Sequence, residues 1–195
     1  MCKKFLGSKA KIIGIDLNPD AKKFEKFGFK IFIGDQADPN FWKKFYSKNG
    51  KIDILIDDGG HTNLQQITAL MESIENIKND GLILIEDTHT SFMNYKGFKN
   101  QSDYSLINFT KKIIENLHRR NPMIKKKMNL FSKKISSIEY FDSIVIIKIS
   151  NKKYSYSKNL HNNKKVNSQN MRSTVAATSR RCVRRLAPTM GPAKP

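Results

Sequence analysis

Short apolar runs that end in acidic residues recur along the first half of the chain. Four of them are KIIGID, FKIFIGD, KIDILIDD and GLILIED, at residues 11–16, 29–35, 51–58 and 81–87. Each run is continuously apolar rather than alternating, which is typical of strands buried on both faces of a parallel sheet. Segments with helical character separate the runs, at residues 18–28, 38–50 and 63–79. The pattern predicts an α/β fold built of strand–helix–strand units.

The second half of the chain predicts a helix and a hairpin. Residues 105–120 repeat apolar positions at helical spacing, and residues 88–104 before them are expected to form a polar, aromatic loop. Residues 133–150 contain two strand-like runs joined at residues 141–143. So short a connection cannot contain a crossover helix, so we predict an antiparallel hairpin.

Charge is unevenly distributed along the chain. The sequence has 36 basic and 17 acidic residues, a net charge of +19, and residues 151–195 contain 11 of the basic residues and no acidic one. Because this tail is polar and shows no periodicity, we expect a domain at residues 1–150 followed by a disordered basic tail. Lysine gives way to arginine near Met171. A native arm and a foreign sequence from about residue 172 explain this shift equally well.

Composition also restricts the compartment and the class of protein. Two cysteines, Cys2 and Cys182, do not make a disulfide framework, which favours a reducing compartment. No apolar run reaches the roughly 18 residues of a membrane span, and the start of the chain lacks the apolar segment of a signal peptide. We therefore predict a cytoplasmic protein. The basic tail could bind nucleic acid nonspecifically, but it matches no reader motif, so this alternative is disfavoured.

Carboxylates end all four predicted strands, and parallel strands end at the same edge of a sheet. They are Asp16, Asp35, the pair Asp57 and Asp58, and the pair Glu86 and Asp87. Any one of them alone is better explained as a turn residue or a helix cap. Clustered carboxylates repel one another unless a positive charge lies among them, and a divalent cation such as Mg²⁺ supplies one. Asp58 and the Glu86–Asp87 pair can converge if their strands are neighbours.

The motifs GIDLNP, GDQADPNF, DILIDDGGH and GLILIEDTHTS together resemble a known family. Over residues 8–150 the chain resembles the metal-dependent class I S-adenosylmethionine methyltransferases that act on sugar hydroxyls of macrolides and related natural products. Cephalosporin-hydroxylase-like proteins share much of the pattern. The resemblance implies a Rossmann-like methyltransferase fold, with a mostly parallel sheet and a C-terminal antiparallel hairpin. It also implies Mg²⁺-assisted methyl transfer from S-adenosylmethionine to the hydroxyl of a sugar or other small molecule.

The resemblance further implies a role for each residue of the motifs. The residues implied to bind S-adenosylmethionine are Asp16, at the ribose hydroxyls, and Asp35 and Gln36, at the adenine. Asp57 is expected either to act as a cap or to contact the cofactor side. The residues implied to hold Mg²⁺ are Asp58, Glu86 and Asp87. His61 would be the general base that removes the hydroxyl proton, a step that suits an imidazole beside a metal-polarised hydroxyl. Without the resemblance, His61 is equally well explained as a histidine at a helix entry, and His89 is expected outside the ligand set.

The chain departs from the family pattern near its beginning. In this fold a first strand and a glycine-rich turn precede the position of Asp16, but only 15 residues precede it here and they contain no G-x-G-x-x-G motif. We therefore expect the first strand to be absent and the domain to be an N-terminally truncated fragment. Activity of this exact chain and its oligomeric state are left open. One alternative is a hydroxylase-like member of the same fold, whose product would gain an oxygen atom instead of a methyl group.

Overall fold

The computed structural model describes residues 2–93, 105–118 and 129–150, and all of them lie in one compact unit. The predicted tail at residues 151–195 and most of the predicted loop at residues 88–104 lie outside this part. Those predictions stay untested, as does the change in composition near Met171. Within the described ranges, no helix is long and apolar enough to cross a membrane.

Helices and strands alternate along the described chain as the apolar pattern predicts. The α-helices are α1 (Cys2–Leu6), α2 (Pro39–Asn49), α3 (Asn63–Ser73), α4 (Leu106–His118) and α5 (Leu130–Lys134). Two 3₁₀ helices span Pro19–Phe27 and Thr88–Phe92. The strands are β1 (Ile13–Asp16), β2 (Lys30–Ile33), β3 (Ile52–Asp57), β4 (Ile77–Ile85), β5 (Ile135–Phe141) and β6 (Ile144–Ile149). The short helix α5 was not predicted.

Local sequence signals set the ends of the two helices that flank β3. Asp38 caps α2 by accepting a hydrogen bond from the backbone of Asn40, and Pro39 occupies the first helical turn, where a missing N–H costs nothing. A capping box begins α3, because the Thr62 and Gln65 side chains each bond the backbone of the other residue. These caps hold α3 immediately after the acidic end of β3.

The strands form two sheets. Strands β1 and β2 pair in parallel, and a second sheet has the order β3-β4-β6-β5. In the second sheet β3 and β4 are parallel, whereas β4, β6 and β5 are antiparallel neighbours, so the predicted hairpin is confirmed. Across the described ranges, no strand pairs with β1 or β3 on the side away from its partner.

The boundary between α3 and β4 differs from the prediction. The periodicity of residues 63–79 predicts one long helix, but α3 ends at Ser73 and β4 begins at Ile77. Ile77 is buried and pairs with Ile52 on β3, so strand pairing overrides its helical spacing. The irregular pairing that follows includes Asp80, whose backbone is left-handed (φ 62°).

The core lies between the second sheet and helices α3 and α4. Its fully buried apolar side chains include Leu70, Ile74, Ile83, Ile85, Leu106, Ile113, Val145 and Ile147. An aromatic cluster on α2 extends this core toward the first sheet, and the rings of Phe45 and Phe32 meet edge to face at 5.2 Å. The two sheets therefore share one hydrophobic core.

The carboxyl ends of both sheets lie at the same edge. Gln36 follows β2, Asp57 ends β3, and the Gln36 Nε2 atom donates a hydrogen bond of 2.5 Å to Asp57 Oδ1. Because β1 is parallel to β2 and β4 is parallel to β3, the acidic residues at the ends of all four strands share this edge. The prediction of one common acidic edge is confirmed, and ligands bind at this edge in open α/β sheets.

Candidate metal centre

Two loops meet at the acidic edge and bring three ligand-type side chains together. The first loop joins β3 to α3, and the second follows β4. The Nε2 atom of His61 lies 3.4 Å from Asp87 Oδ2 and 3.8 Å from Asp58 Oδ1. One ligand atom from each of the three residues lies within 4.8 Å of the other two. The three residues form the candidate metal centre.

The backbone of this centre has two residues in an unusual conformation. His61 and Asp87 are both left-handed, with φ of 55° and 52°. Residues other than glycine seldom adopt this region, although histidine and aspartate do so more often than most. Such conformations persist where the surrounding contacts impose them, and they concentrate at functional sites. At His61 the turn returns the chain from the strand end to the start of α3.

Backbone hydrogen bonds hold the end of β4 beside the end of β3. The N–H of Glu86 donates to the Asp57 carbonyl at 2.9 Å. The carbonyl of Glu86 accepts from the buried Gln66 side chain at 2.8 Å, so α3 also fixes this strand end. Both backbone groups of Glu86 are therefore satisfied by neighbouring elements, and Asp87 begins the turn that faces His61.

Asp57 is a buried carboxylate whose side-chain hydrogen-bond partner among the described residues is Gln36. Burial raises its pKa, while the hydrogen bonds from Gln36 and from the Gly59 backbone act in the opposite direction. The residue is 5% exposed, and within the described part of the chain its Oδ2 atom has no hydrogen-bond partner. An unpaired buried carboxylate oxygen is costly. Asp57 therefore differs from its neighbour Asp58, whose side chain is 64% exposed.

Two glycines leave the space that this arrangement needs. A Cβ atom on Gly59 would lie 2.1 Å from Gln36 Oε1, and one on Gly60 would lie 2.2 Å from Gln65 Oε1. The Gly60 N–H also donates to Gln36 Oε1 at 3.2 Å. Gln36 thus connects the end of β2 with both Asp57 and the loop that carries His61.

The second loop contacts the hairpin through His89. The Nδ1 atom of His89 lies 2.6 Å from Ser143 Oγ and 3.9 Å from Asp87 Oδ1. The Thr88 N–H donates to the Ser143 carbonyl at 3.0 Å. His89 lies outside the group of three ligand-type residues, as expected. Ser143 and the hydroxyl of Thr90 were not singled out from the sequence, because their partners are distant along the chain.

The metal ligands predicted from the sequence are arranged differently from the expectation. Asp58 and Asp87 converge as expected, but the third member of the converged group is His61 and not Glu86. The structure thus places His61 within the converged group, whereas the prediction placed it beside three converged carboxylates. The left-handed turn at His61 directs its imidazole back toward the two aspartates.

The remaining predicted site residues lie at the same edge but make local contacts. Asp16 accepts a hydrogen bond from the Asn18 N–H, and Asp35 accepts one from the Ala37 N–H, each at 2.8 Å. Both aspartates are exposed, so each can also contact a ligand. Gln36 already donates a hydrogen bond to Asp57, so an adenine bound by Gln36 would contact a side chain that Asp57 holds in place.

The donor set of the centre fits a divalent cation. Two carboxylates and an imidazole within 4.8 Å provide negative charge and lone pairs directed at a small volume. The Nδ1 atom of His61 is buried and has no hydrogen-bond partner among the described residues. Its Nε2 atom, the one beside the aspartates, is therefore the ring nitrogen placed to bind a proton or a metal.

Comparisons with known proteins point to methyltransferases. No protein-family model matches the chain. The 8-demethyl-8-alpha-L-rhamnosyl tetracenomycin-C 2'-O-methyltransferase of Streptomyces olivaceus is 27% identical over 108 residues, covering 55% of this chain and 28% of that protein. The mycinamicin VI 2''-O-methyltransferase of Micromonospora griseorubida is 31% identical over 95 residues, covering 49% and 23%. The L-olivosyl-oleandolide 3-O-methyltransferase of Streptomyces antibioticus is 30% identical over 111 residues, covering 55% and 28%. The chain spans about a quarter of the length of these relatives.

Solved structures agree on the fold. The MycE methyltransferase from the mycinamycin biosynthetic pathway, solved with Mg and SAH, superposes with a TM-score of 0.68 at 20% identity, covering 87% of this chain and 42% of that one. Its complex with Mg, SAH and mycinamycin VI gives a TM-score of 0.61 at 21% identity, covering 72% and 36%. The chain is thus similar in sequence to sugar O-methyltransferases, and its α/β fold is that of the MycE methyltransferase.

Proposed function

We propose that this chain contributes the metal-binding carboxylates and the general base of an active site. The reaction is S-adenosylmethionine-dependent, Mg²⁺-assisted methyl transfer to a sugar-like hydroxyl. The observation that carries the proposal is the convergence of Asp58, His61 and Asp87 at the carboxyl edge of the sheet. The sugar O-methyltransferases among its relatives, and MycE solved with Mg and SAH, support the same chemistry. The acceptor class is a small molecule, and we place the reaction in the cytoplasm.

In this proposal three carboxylates hold the metal ion. Asp58 and Asp87 already converge, and Glu86 lies next to Asp87 with its backbone fixed at the end of β4. Mg²⁺ prefers oxygen ligands, which favours Glu86 over the imidazole as the third ligand. When bound, the ion supplies a Lewis acid that polarises the acceptor hydroxyl and orients it toward the methyl donor.

His61 takes the hydroxyl proton in this proposal. Its Nε2 atom faces Asp58 and Asp87, so the imidazolium that forms on proton transfer lies beside two carboxylates that stabilise its charge. The acceptor oxygen forms a bond to the methyl carbon as the bond from that carbon to the sulfonium sulfur breaks. The electron pair of the broken bond remains on sulfur, and the products are the methyl ether and S-adenosylhomocysteine.

The cofactor would lie along the ends of β1, β2 and β3. We assign Asp16 to the ribose hydroxyls and Asp35 with Gln36 to the adenine. Asp57 contributes the unpartnered Oδ2 atom, a buried acceptor that a donor group of the cofactor could satisfy. Asp16 ends β1 and Asp35 follows β2, and both strands end at the common acidic edge, which is the usual ligand edge of open α/β sheets.

Calorimetric titration of the full chain with Mg²⁺ tests the metal assignment. We expect Asp58→Ala and Asp87→Ala to abolish binding and Glu86→Ala to weaken it. His61→Ala should retain metal affinity, because its imidazole serves the substrate. Asp53→Ala is the matched control, since Asp53 is an exposed aspartate at the opposite end of the same strand, paired with Lys78. Equal binding by wild type and Asp58→Ala would remove the metal assignment, and loss of binding in His61→Ala would make His61 a ligand.

Methyl transfer itself is tested with labelled S-adenosylmethionine and a panel of macrolide and aromatic glycosides. The expected product gains one methyl group, whereas a gain of one oxygen atom would support the hydroxylase-like alternative. In an active preparation, His61→Ala should slow turnover by about 10²–10⁴-fold, the usual contribution of a general base. A His61→Ala variant with unchanged turnover would refute the assignment of the base.

A further inference from the structure

We propose that the Thr90 hydroxyl is a positioning group that joins the two loops of the candidate metal centre. Its Oγ1 atom lies 2.8 Å from the His61 carbonyl oxygen and 2.9 Å from the Asp87 carbonyl oxygen. Thr90 is 4% exposed, so these contacts are shielded from water. The expected effect of Thr90 on Mg²⁺ affinity rests on the proposed function. The two hydrogen bonds of Thr90 do not depend on that function.

The chemistry of the contact makes Thr90 a bridge between the loops. A hydroxyl has one hydrogen, and both carbonyl oxygens are acceptors, so the hydrogen is shared between them or alternates from one to the other. The Asp87 carbonyl also accepts from the Thr90 N–H at 3.1 Å, within the same turn. The bond to His61, in contrast, spans 29 residues of sequence and connects the loop after β4 with the loop after β3.

The two carbonyls belong to the two residues of the centre that have left-handed backbones. These conformations at His61 and Asp87 carry a cost that surrounding contacts must offset. One side chain contacts the carbonyl of each, so it couples the two strained turns. The 3.4 Å separation between His61 Nε2 and Asp87 Oδ2 depends on both backbones. Thr90 therefore acts on the site through the backbone and without contacting the metal or the substrate.

Two substitutions separate the hydroxyl from the methyl group of Thr90. Thr90→Val keeps the branched shape and removes the hydroxyl, whereas Thr90→Ser keeps the hydroxyl and removes the methyl group. Thr68→Val is the matched control, because Thr68 is a similarly buried threonine within α3. A role in positioning predicts that serine rescues the site and that valine does not.

Hydrogen exchange of the metal-free full chain is the first measurement. We expect Thr90→Val to speed amide exchange at residues 58–62 and 86–90 by about fivefold to tenfold, the factor of one ordinary hydrogen bond. Thr90→Ser and Thr68→Val should change exchange there by less than about twofold. Amides of Ile83 and Ile85 in β4 should speed by no more than this factor, because any wider opening that exposes them also breaks the Thr90 bonds. Unchanged exchange in the two loops of Thr90→Val, or equal acceleration in Thr90→Ser, would overturn the inference.

Mg²⁺ titration of the same variants connects the bridge to the site. Thr90→Val should weaken affinity by about 10–100-fold, as is usual when a group that orients a ligand is lost, while Thr90→Ser should stay near wild type. If the wild-type chain binds no Mg²⁺, the proposed function fails, and hydrogen exchange still decides the bridge. Equal affinity in wild type and Thr90→Val, together with faster loop exchange, would refute the positioning of the metal centre.

Discussion

Replacing Gly59 with alanine should displace Gln36 from its position between Asp57 and the loop that carries His61. A Cβ atom at residue 59 would lie 2.1 Å from Gln36 Oε1 and 3.1 Å from its Cδ. The glutamine side chain is flexible and can move away. It then loses its bond to the buried Asp57 carboxylate and its bond from the Gly60 N–H.

The expected loss in the free energy of unfolding follows from these two hydrogen bonds. A hydrogen bond to a charged group contributes about 1.5–3 kcal/mol and a neutral one about 0.5–1.5 kcal/mol, so Gly59→Ala should lower the free energy of unfolding by about 2–4 kcal/mol. In a Gln36→Ala background the obstructing atoms are absent. Gly59 does not have a positive φ, so alanine should then be neutral, or stabilising by up to about 1 kcal/mol through the unfolded state.

Urea unfolding of the four chains in this double-mutant cycle measures the coupling. We expect an interaction free energy of about 2 kcal/mol or more between residues 36 and 59, because the two substitutions act through the same contacts. Additive effects, within about 0.5 kcal/mol, would refute the reasoning and would mean that Gln36 does not occupy the space above Gly59. A large cost of Gly59→Ala that persists in the Gln36→Ala background would contradict it equally.

Two further predictions concern the core. Burial raises the pKa of Tyr46 to about 12, while its hydrogen bond to Ser73 acts in the opposite direction. Because the folded-state pKa lies above the ordinary value near 10, the neutral Tyr46 side chain contributes fully to the free energy of unfolding below about pH 10. This contribution is lost as the pH rises to about 12. The loss should reach about 2.7 kcal/mol. Urea unfolding from pH 9 to 12 should show this fall in wild type and not in Tyr46→Phe, and parallel profiles would contradict it. Leu70→Ala should lower the free energy of unfolding by about 3–5 kcal/mol, because Leu70 is fully buried. Leu64→Ala, on the same helix but 58% exposed, should cost less than about 1 kcal/mol in the same assay, and equal costs would place Leu70 outside the core.

Signals within a few residues were enough to predict most of the elements. Continuous apolar runs predicted the parallel strands β3 and β4, and the short connection before Ile144 predicted the hairpin. Local sequence patterns predicted the wrong element where pairing between distant segments decided the secondary structure. Ile77 has helical spacing from Leu70 and Ile74, yet it forms a strand because Ile52 lies beside it. Periodicity describes one segment at a time and contains no information about its partner.

The sequence by itself determined that carboxylates would end neighbouring parallel strands, since strand direction alone brings those ends to one edge. Only the tertiary structure decided which side chains converge there. His61 joins Asp58 and Asp87 because two left-handed turns redirect the chain, and contacts between distant loops impose those turns. The partners that maintain the arrangement lie 21 residues apart at Gln36–Asp57 and 29 residues apart at Thr90–His61. Side-chain direction at a loop depends on φ angles that such long-range bonds select, and no local pattern of residues specifies them.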